Sequence, residues 1–334
     1  METGKVPPEL LSRLLTGTDV EVPDLVLGPR LGRDAAVVQF ADGYAVLASD
    51  PVTFPTARPG WYVVHVNAND VACLGAEPRW FLATILVPPT TDETELEAIF
   101  HHLRAACTEV GATLAGGHTE VSDAVTRPVV AGTMIGEVPP QRLHLAQGAR
   151  SGDALIQIGA IAIEGTALLA IEIPDRLRAA GLSSRELEQA QALLVDPGIS
   201  VLPMARAIWP LPGLHALHDP TEGGIATACW ELAEGAGLGI TLESEAMVVH
   251  PLSQRVCAAL EVDALGLLAS GTLLAAVEAE TAAEAVRELN NSGHSAAVIG
   301  HLGEPAQPAI LVADGATRAL PRFWRDEVAR ILAP

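Results

Sequence analysis

Five short stretches of this sequence combine residue types and spacings that could do chemistry. Asp34 stands just before the apolar run Ala35-Ala36-Val37-Val38, and Asp50 follows the run Tyr44 to Ser49. Carboxylates at strand ends are either turn formers or oxygen ligands. Asn67 and Asp70 are three apart in a helix-like run and share a face with Val63, Val66 and Leu74. A carboxylate beside such a stripe needs a cation, a donor or a metal, unless the pair faces solvent at the rim. Gly116-Gly117-His118-Thr119 closes another apolar run; the glycines permit close approach of a ligand, or a plain bulge. Finally, Asp219-Pro220-Thr221-Glu222-Gly223-Gly224 precedes the helix-like run Ile225 to Glu234, which Gly235 is expected to end. A carboxylate, a hydroxyl and the N–H groups of a helix start suit phosphate together with Mg²⁺. By itself the stretch is equally an ordinary capped helix, with Asp219 or Thr221 as N-cap.

Composition narrows the chemistry. The chain has 334 residues, which suits one large domain or two ordinary ones. Hydrophobic residues make up 49% and aromatics only 4%, so the core is built of Ala, Val, Leu and Ile. A formal net charge of −21 argues against nucleic acid and anionic membrane surfaces as partners. An anionic substrate would need metal ions or local dipoles to offset that field. Lys5 is the only lysine, which excludes a Gly-Lys-Ser/Thr phosphate loop and an internal Schiff-base lysine. Phosphate, if bound, is met by arginine, backbone N–H groups and metals. Cys73, Cys107, Cys229 and Cys257 form no C-x-x-C pair and read as buried thiols. No basic-then-apolar stretch opens the chain, and Glu164 interrupts its best apolar run. The expectation is a soluble cytoplasmic protein.

The elements that must position these residues follow from periodicity. Pro8 to Leu15 predicts a short helix stopped by Gly17, and runs 35–38 and 44–50, joined at Asp42-Gly43, predict a hairpin. Trp61 to Leu74 predicts a helix capped by Gly75, then come a strand at 79–87, a helix at 91–110 and strands at 113–120 and 128–138. His101 and His102 are adjacent on the second of these helices and so point different ways, against a shared metal. The polar, glycine-containing stretch 142–153 marks a boundary, giving domains 1–148 and 149–334. The second half predicts strands at 154–158, 239–242, 296–300 and 309–312. Its helices are expected at 163–173, 184–194, 201–209, 225–234, 252–260 and 282–289, and Ser270-Gly271 lies in a loop leading into a further strand. Strands and helices mix in both halves, which favours α+β layers over a doubly wound sheet.

Six segments, in this order, resemble the aminoimidazole ribonucleotide (AIR) synthetase-like, or PurM-like, superfamily: Gly32-Arg33-Asp34-Ala35-Ala36-Val37, Ser49-Asp50, Val66-Asn67-Ala68-Asn69-Asp70-Val71-Ala72, Ala115-Gly116-Gly117-His118-Thr119, Asp196-Pro197-Gly198-Ile199-Ser200 and Asp219-Pro220-Thr221-Glu222-Gly223-Gly224. The layout is most similar to the hydrogenase maturation factors called HypE. The resemblance implies an α+β, two-domain fold, with an N-terminal α/β domain forming a dimer barrel and a C-terminal α+β domain. It implies ATP and Mg²⁺ as cofactors, with nucleotide in a cleft between the domains, and an unidentified small-molecule or protein substrate. Carried over by motif, Asp34, Asp50, Asp70 and Asp219 become metal or phosphate ligands. Asn67, Gly116, Gly117, His118, Thr119, Thr221, Gly223 and Gly224 become nucleotide contacts, and Asp219 and His118 the catalytic candidates. The implied reaction is transfer of the terminal phosphoryl group to an amide or similar oxygen. Such catalysis is positioning and charge neutralisation rather than covalent chemistry.

Three departures from the family pattern stand out. Arg33 occupies a position that is usually acidic, Leu332 follows Arg330-Ile331 where HypE-like chains carry a thiol, and the first cysteine is Cys73, which disfavours selenophosphate synthetase chemistry. A non-catalytic dimeric scaffold and a thiamine-monophosphate kinase-like enzyme are the competing readings.

Overall fold

The computed structural model describes residue 6 and residues 8–15, 22–30, 33–54 and 56–332. Gly17 and Gly32, both used in the sequence argument, lie outside the described residues. The chain forms two compact units, residues 15–143 and residues 144–334 with 1–14. The division falls between Leu143 and His144, where the sequence argument placed it at 148/149.

α1 (Pro8–Leu15) groups with residues 144–334; the described elements of the first unit are β1 (Leu25–Leu27), β2 (Ala35–Phe40), β3 (Gly43–Ala48), β4 (Pro51–Val52), α2 (Pro59–Cys73), β5 (Glu77–Val87), α3 (Glu93–Val110), β6 (Thr113–Val121) and β7 (Val129–Val138). Their strands make one sheet in the order β1-β2-β3-β7-β5-β6, with β4 also on β7. Every pairing is antiparallel except β5 with β6. The predicted hairpin is β2–β3, closed by Ala41-Asp42, with Ala41 at φ +50°. Helix α3 is capped at both ends by local chemistry. The Asp92 side chain accepts the Glu95 N–H at 2.8 Å, and Gly111 takes the left-handed conformation.

Helix α2 is buried almost all round, His65, Asn67, Asn69 and Asp70 included, because it packs on β3, β5 and β7 with one side and on α3 with another. The helix side of the sheet is therefore dry: Val46, Phe81, Ile85, Val130 and Met134 are buried. The opposite side is not covered by helices of this unit. There Trp80 and Leu82 are 37% and 38% exposed, and Thr84 is exposed.

The second part contains β8 (Ala154–Ile158), α4 (Ile163–Glu172), α5 (Pro174–Ala179), α6 (Ser184–Ala192), α7 (Leu202–Ile208), β9 (Leu214–His218), α8 (Gly224–Ala236), β10 (Gly239–Glu243), α9 (Pro251–Leu260), β11 (Leu273–Val277), α10 (Ala279–Asn291), β12 (Ala296–Gly303), β13 (Ala309–Ala313), β14 (Ala316–Ala319) and α11 (Glu327–Leu332). The sheet order is β14-β13-β10-β12-β8-β11-β9, antiparallel except for β10 with β13. Its core joins Leu155, Ile225, Cys229, Ile240, Leu274, Ile299 and Leu311. Helix α8 runs through Gly235, the expected stop, and ends at Gly237 with φ +71°. Only the second glycine sits where the chain must turn left-handed, so only it acts as the cap. Among the described residues no helix is long and apolar enough to cross a membrane.

Candidate functional site

In the first unit the hairpin brings two of the aspartates to one end. Ala35 pairs with Ala48, so Asp34, just before β2, and Asp50, just after β3, leave the same end of the strand pair. Asp34 is exposed and Asp50 half-buried. The backbone of Asp50 is held on both sides. Its N–H donates to Asn67 Oδ1 at 2.9 Å, and its carbonyl accepts from Asn67 Nδ2 at 3.2 Å and from the Gly132 N–H at 2.9 Å. Ser49 Oγ donates to the Gly132 carbonyl at 3.0 Å, one residue away. Asp70 follows Asn67 by three residues on α2 and is 7% exposed. Asn67 itself is fully buried, and Nδ2 also donates to the Val63 carbonyl at 2.7 Å. The Asn67 amide, expected to contact nucleotide, is engaged with the main chain of Asp50 and Val63.

Strand β6 distributes its candidates over two faces. Gly116-Gly117 does not form a turn: both lie inside a continuous edge strand that runs to Val121. The pairing with β5 shifts register between Phe81 and Leu82, a bulge of the kind the glycines allowed for. Gly117 has φ +145°, and a Cβ there would lie 1.9 Å from the Ala83 carbonyl oxygen. Only glycine fits that approach. Beyond the bulge, side chains alternate. His118 is paired with Thr84, so it shares the open face with Thr84 and Leu82; Thr119 is paired with Ile85, on the helix face. His118 Nε2 lies 3.4 Å from Glu120 Oε2, two residues along the same exposed face. The structure thus separates His118 from the face on which α2 presents Asn67.

In the second unit, β9 delivers the aspartate motif. His218 is the last residue of β9 and pairs with Leu274 of β11; its Nε2 is 3.1 Å from Glu231 Oε2 on α8. Asp219 follows, 4% exposed. Gly223 and Gly224 then turn the chain into α8 with φ +79° and +66°. Their N–H groups are not an open anion cradle. The Gly223 N–H donates to Asp326 Oδ2 at 2.8 Å, and the Gly224 N–H to the Thr221 carbonyl at 3.1 Å. The glycines are required by packing: added Cβ atoms would lie 2.7 Å from the Phe323 carbonyl oxygen and 2.4 Å from that of Leu265. The side-chain oxygens of this turn are those of Asp219, Thr221 and Glu222.

Two buried carboxylates flank this turn that sequence reasoning did not place there. Glu164, in the first turn of α4, is 2% exposed and accepts the Ser270 N–H at 3.1 Å. Burial pushes its pKa up to about 8, helped by the nearby charges of Glu222 and Asp326 and opposed by the Ser270 hydrogen bonds. Asp326, 8% exposed, is pushed up to about 7, again mainly by burial, against bonds from Gly223, Val328 and Leu268. Glu164 had left one signal, a lone acid inside an apolar run. Asp326 lies in a segment with no periodic pattern and left none. The four cysteines are buried, and burial holds Cys107 and Cys257 up at about 11 and about 12, where they are inert.

Among the described residues no group of three or more His, Cys, Asp or Glu side chains is arranged to hold a metal by itself. The donors on offer are carboxylate oxygens, which fit a hard cation. Mg²⁺ characteristically binds through one or two carboxylates, with water and phosphate oxygens completing its shell.

The family description "AIR synthase related protein, N-terminal domain" matches residues 32–138, and its C-terminal counterpart matches residues 150–312. The hydrogenase expression/formation protein HupE of Azotobacter chroococcum is 30% identical over 290 residues, covering 83% of this chain and 80% of that protein. The chain belongs to the AIR synthase-related family. A second relative, the carbamoyl dehydratase HypE of Cupriavidus necator, is 31% identical over 261 residues, 74% of this chain and 69% of that one. Among solved structures, a hydrogenase maturation protein HypE in complex with ATP superposes with a TM-score of 0.67 at 25% identity, covering 95% of each chain. The PurM-like two-domain architecture expected from the motifs is the one observed.

Proposed function

We propose that this protein is an ATP- and Mg²⁺-dependent enzyme of the HypE type, which transfers the terminal phosphoryl group to an amide or similar oxygen and releases ADP. The supporting observation is the fixed main chain of Asp50 at the end of the β2–β3 hairpin, with Asp34 beside it and Asp70 on the helix that does the fixing. A family relative named a carbamoyl dehydratase, and another solved with ATP, favour the same reading.

In this reading Asp34, Asp50, Asp70 and Asp219 supply carboxylate oxygens for magnesium, Asp219 thereby approaching the phosphates through the cation, and the Thr221 hydroxyl meets the phosphates. Magnesium, when bound, neutralises phosphate charge in a chain whose net charge is −21. The protein's part is to hold those oxygens still. The acceptor oxygen forms a bond to the terminal phosphorus as the bond to ADP breaks, and the activated oxygen later departs as phosphate. Gly117 and Thr119 line the nucleotide side of β6. His118, on the open face, is given its catalytic part by a second copy of the chain covering that face. The same face, with Trp80 and Leu82 a third exposed, supports a homodimer.

Calorimetry with ATP and Mg²⁺, followed by an ADP-release assay with carbamoyl or amide compounds, tests the proposal. Saturable binding that requires Mg²⁺ is expected. Asp219→Asn should lower kcat more than it raises the dissociation constant, because its contact strengthens as charge shifts onto the leaving oxygen in the transition state. Absence of any nucleotide binding by the wild type would end this reading.

A further inference from the structure

Residues 320–326 run along one face of α8, making contact turn by turn. Trp230 Nε1 donates to the Leu320 carbonyl at 3.3 Å. Arg322 donates to Glu234 at 3.1 Å and lies over the Trp230 ring, 5.4 Å from its centre. Thr227 Oγ1 meets both the Phe323 N–H, at 3.3 Å, and the Phe323 carbonyl, at 3.4 Å. Asp326 takes the Gly223 N–H. Glu234, Trp230, Thr227 and Gly223 follow one another at helical spacing, so they form a single stripe. The segment therefore runs antiparallel to α8 and finishes on its first turn.

Its last contact differs in kind from the others. Asp326 is buried, yet both oxygens are engaged: Oδ2 by Gly223 and Oδ1 by the Val328 N–H at 2.7 Å, which starts α11. The backbone of Leu268 lies near this carboxyl and, with Gly223 and Val328, favours its charged form against burial. Two residues on, Ser270 is held by Glu164. One side chain thus joins the turn after Asp219 to the start of α11, beside the 268–270 loop. Burying a carboxylate costs several kcal/mol unless hydrogen bonds compensate. The apolar and ionic contacts at Leu320, Arg322 and Phe323 already hold the segment on α8, so that cost is not needed for docking alone.

We propose that Asp326 is a positioning residue of the ligand site: it fixes the 219–224 turn, and through it the side chains of Asp219 and Thr221, in the orientation that meets a magnesium-bound phosphate. The inference rests on the reading of that turn as phosphate-facing. It assigns the segment beyond β14 a part in the site rather than in packing only.

The variants are Asp326→Asn and, as a control at the far end of the stripe, Arg322→Ala. Asparagine has one acceptor oxygen for two N–H groups and turns an NH₂ toward the second. The wild type and both variants are compared by calorimetry with Mg²⁺ and a non-hydrolysable ATP analogue, by thermal unfolding, and by hydrogen exchange of a peptide spanning 219–226. Measured at pH 8, where the Asp326 carboxylate is ionised, Asp326→Asn is expected to speed exchange in that peptide and weaken binding about tenfold, the loss of one charge-assisted hydrogen bond. Arg322→Ala is expected to lower Tm by a similar amount while binding stays within about twofold of wild type. Wild-type affinity in Asp326→Asn overturns the proposal alone. Equal weakening in both variants also overturns it, since affinity would then follow stability. A wild type that binds no analogue removes the phosphate reading and this inference together.

Discussion

Asn67 holds Asp50 by its main chain on both sides: Oδ1 accepts the Asp50 N–H at 2.9 Å and Nδ2 returns a bond to the Asp50 carbonyl at 3.2 Å. The carbonyl has a second partner in the Gly132 N–H, whereas Asn67 Oδ1 is the acceptor given to the Asp50 N–H. Asn67→Ala should therefore strand a donor in a dry setting and destabilise the first unit by about 2 kcal/mol. Denaturant unfolding measures this. A loss below about 0.5 kcal/mol would mean that water or another acceptor replaces the amide.

Asp50 is the reverse case, a side chain that leaves its own backbone fixed by others. Asp50→Ala deletes a half-buried carboxylate without touching the bonds from Asn67 and Gly132. Its Tm should stay within a few degrees of wild type, while Mg²⁺-dependent nucleotide binding falls at least about a hundredfold, as loss of a charged ligand in a phosphate site implies. Removing Mg²⁺ with a chelator should make wild type and variant bind alike. Equal affinity with metal present would remove Asp50 from the ligand set.

Stability should depend on pH through Glu164 and Asp326. Their folded values, about 8 and about 7, lie above the ordinary 4.5 and 3.8, because burial disfavours the charged forms. The folded state therefore holds more protons than the unfolded one between those limits. The contribution of each group is complete below about pH 4 and is lost as pH climbs towards 7 or 8, at about 1 kcal/mol per pH unit. Glu164→Gln, neutral at every pH, should flatten that decline and gain on wild type at pH 8. Parallel stability curves for the two proteins from pH 5 to 8 would show that Glu164 is ionised throughout.

The open sheet face predicts self-association. Leu82 is 38% exposed in a strand whose alternate residues are buried. Leu82→Glu places a charge there and should convert a dimer to a monomer in light scattering, with little change in the unfolding of the chain itself. An unchanged mass in solution would assign self-association, if present, to another surface.

Much of the framework was legible because local periods report it directly. The β2–β3 hairpin, helices α2 and α3 and most strands of the second unit appear where alternation, apolar stripes and Asp or Gly caps put them. β14 and α11 were not legible, because both are short and take their shape from what they lie against. Helix α8 outran its predicted end because a glycine inside a packed helix and a glycine that stops one look alike in sequence; only φ at Gly237 distinguishes them.

The residues alone determined the family, the absence of lysine chemistry and the order of acidic motifs, since those properties reside in residue type and spacing. Tertiary structure decided what each residue touches. The Gly223 N–H meets the carboxylate of Asp326, Asn67 turns its amide onto the main chain of Asp50, and β5–β6 register puts His118 on the open face with Thr84. Hydrogen bonds between residues 17 or 103 positions apart, and the register of an edge strand after a bulge, have no local period to betray them. They exist only once the chain has closed on itself and burial has removed water as an alternative partner.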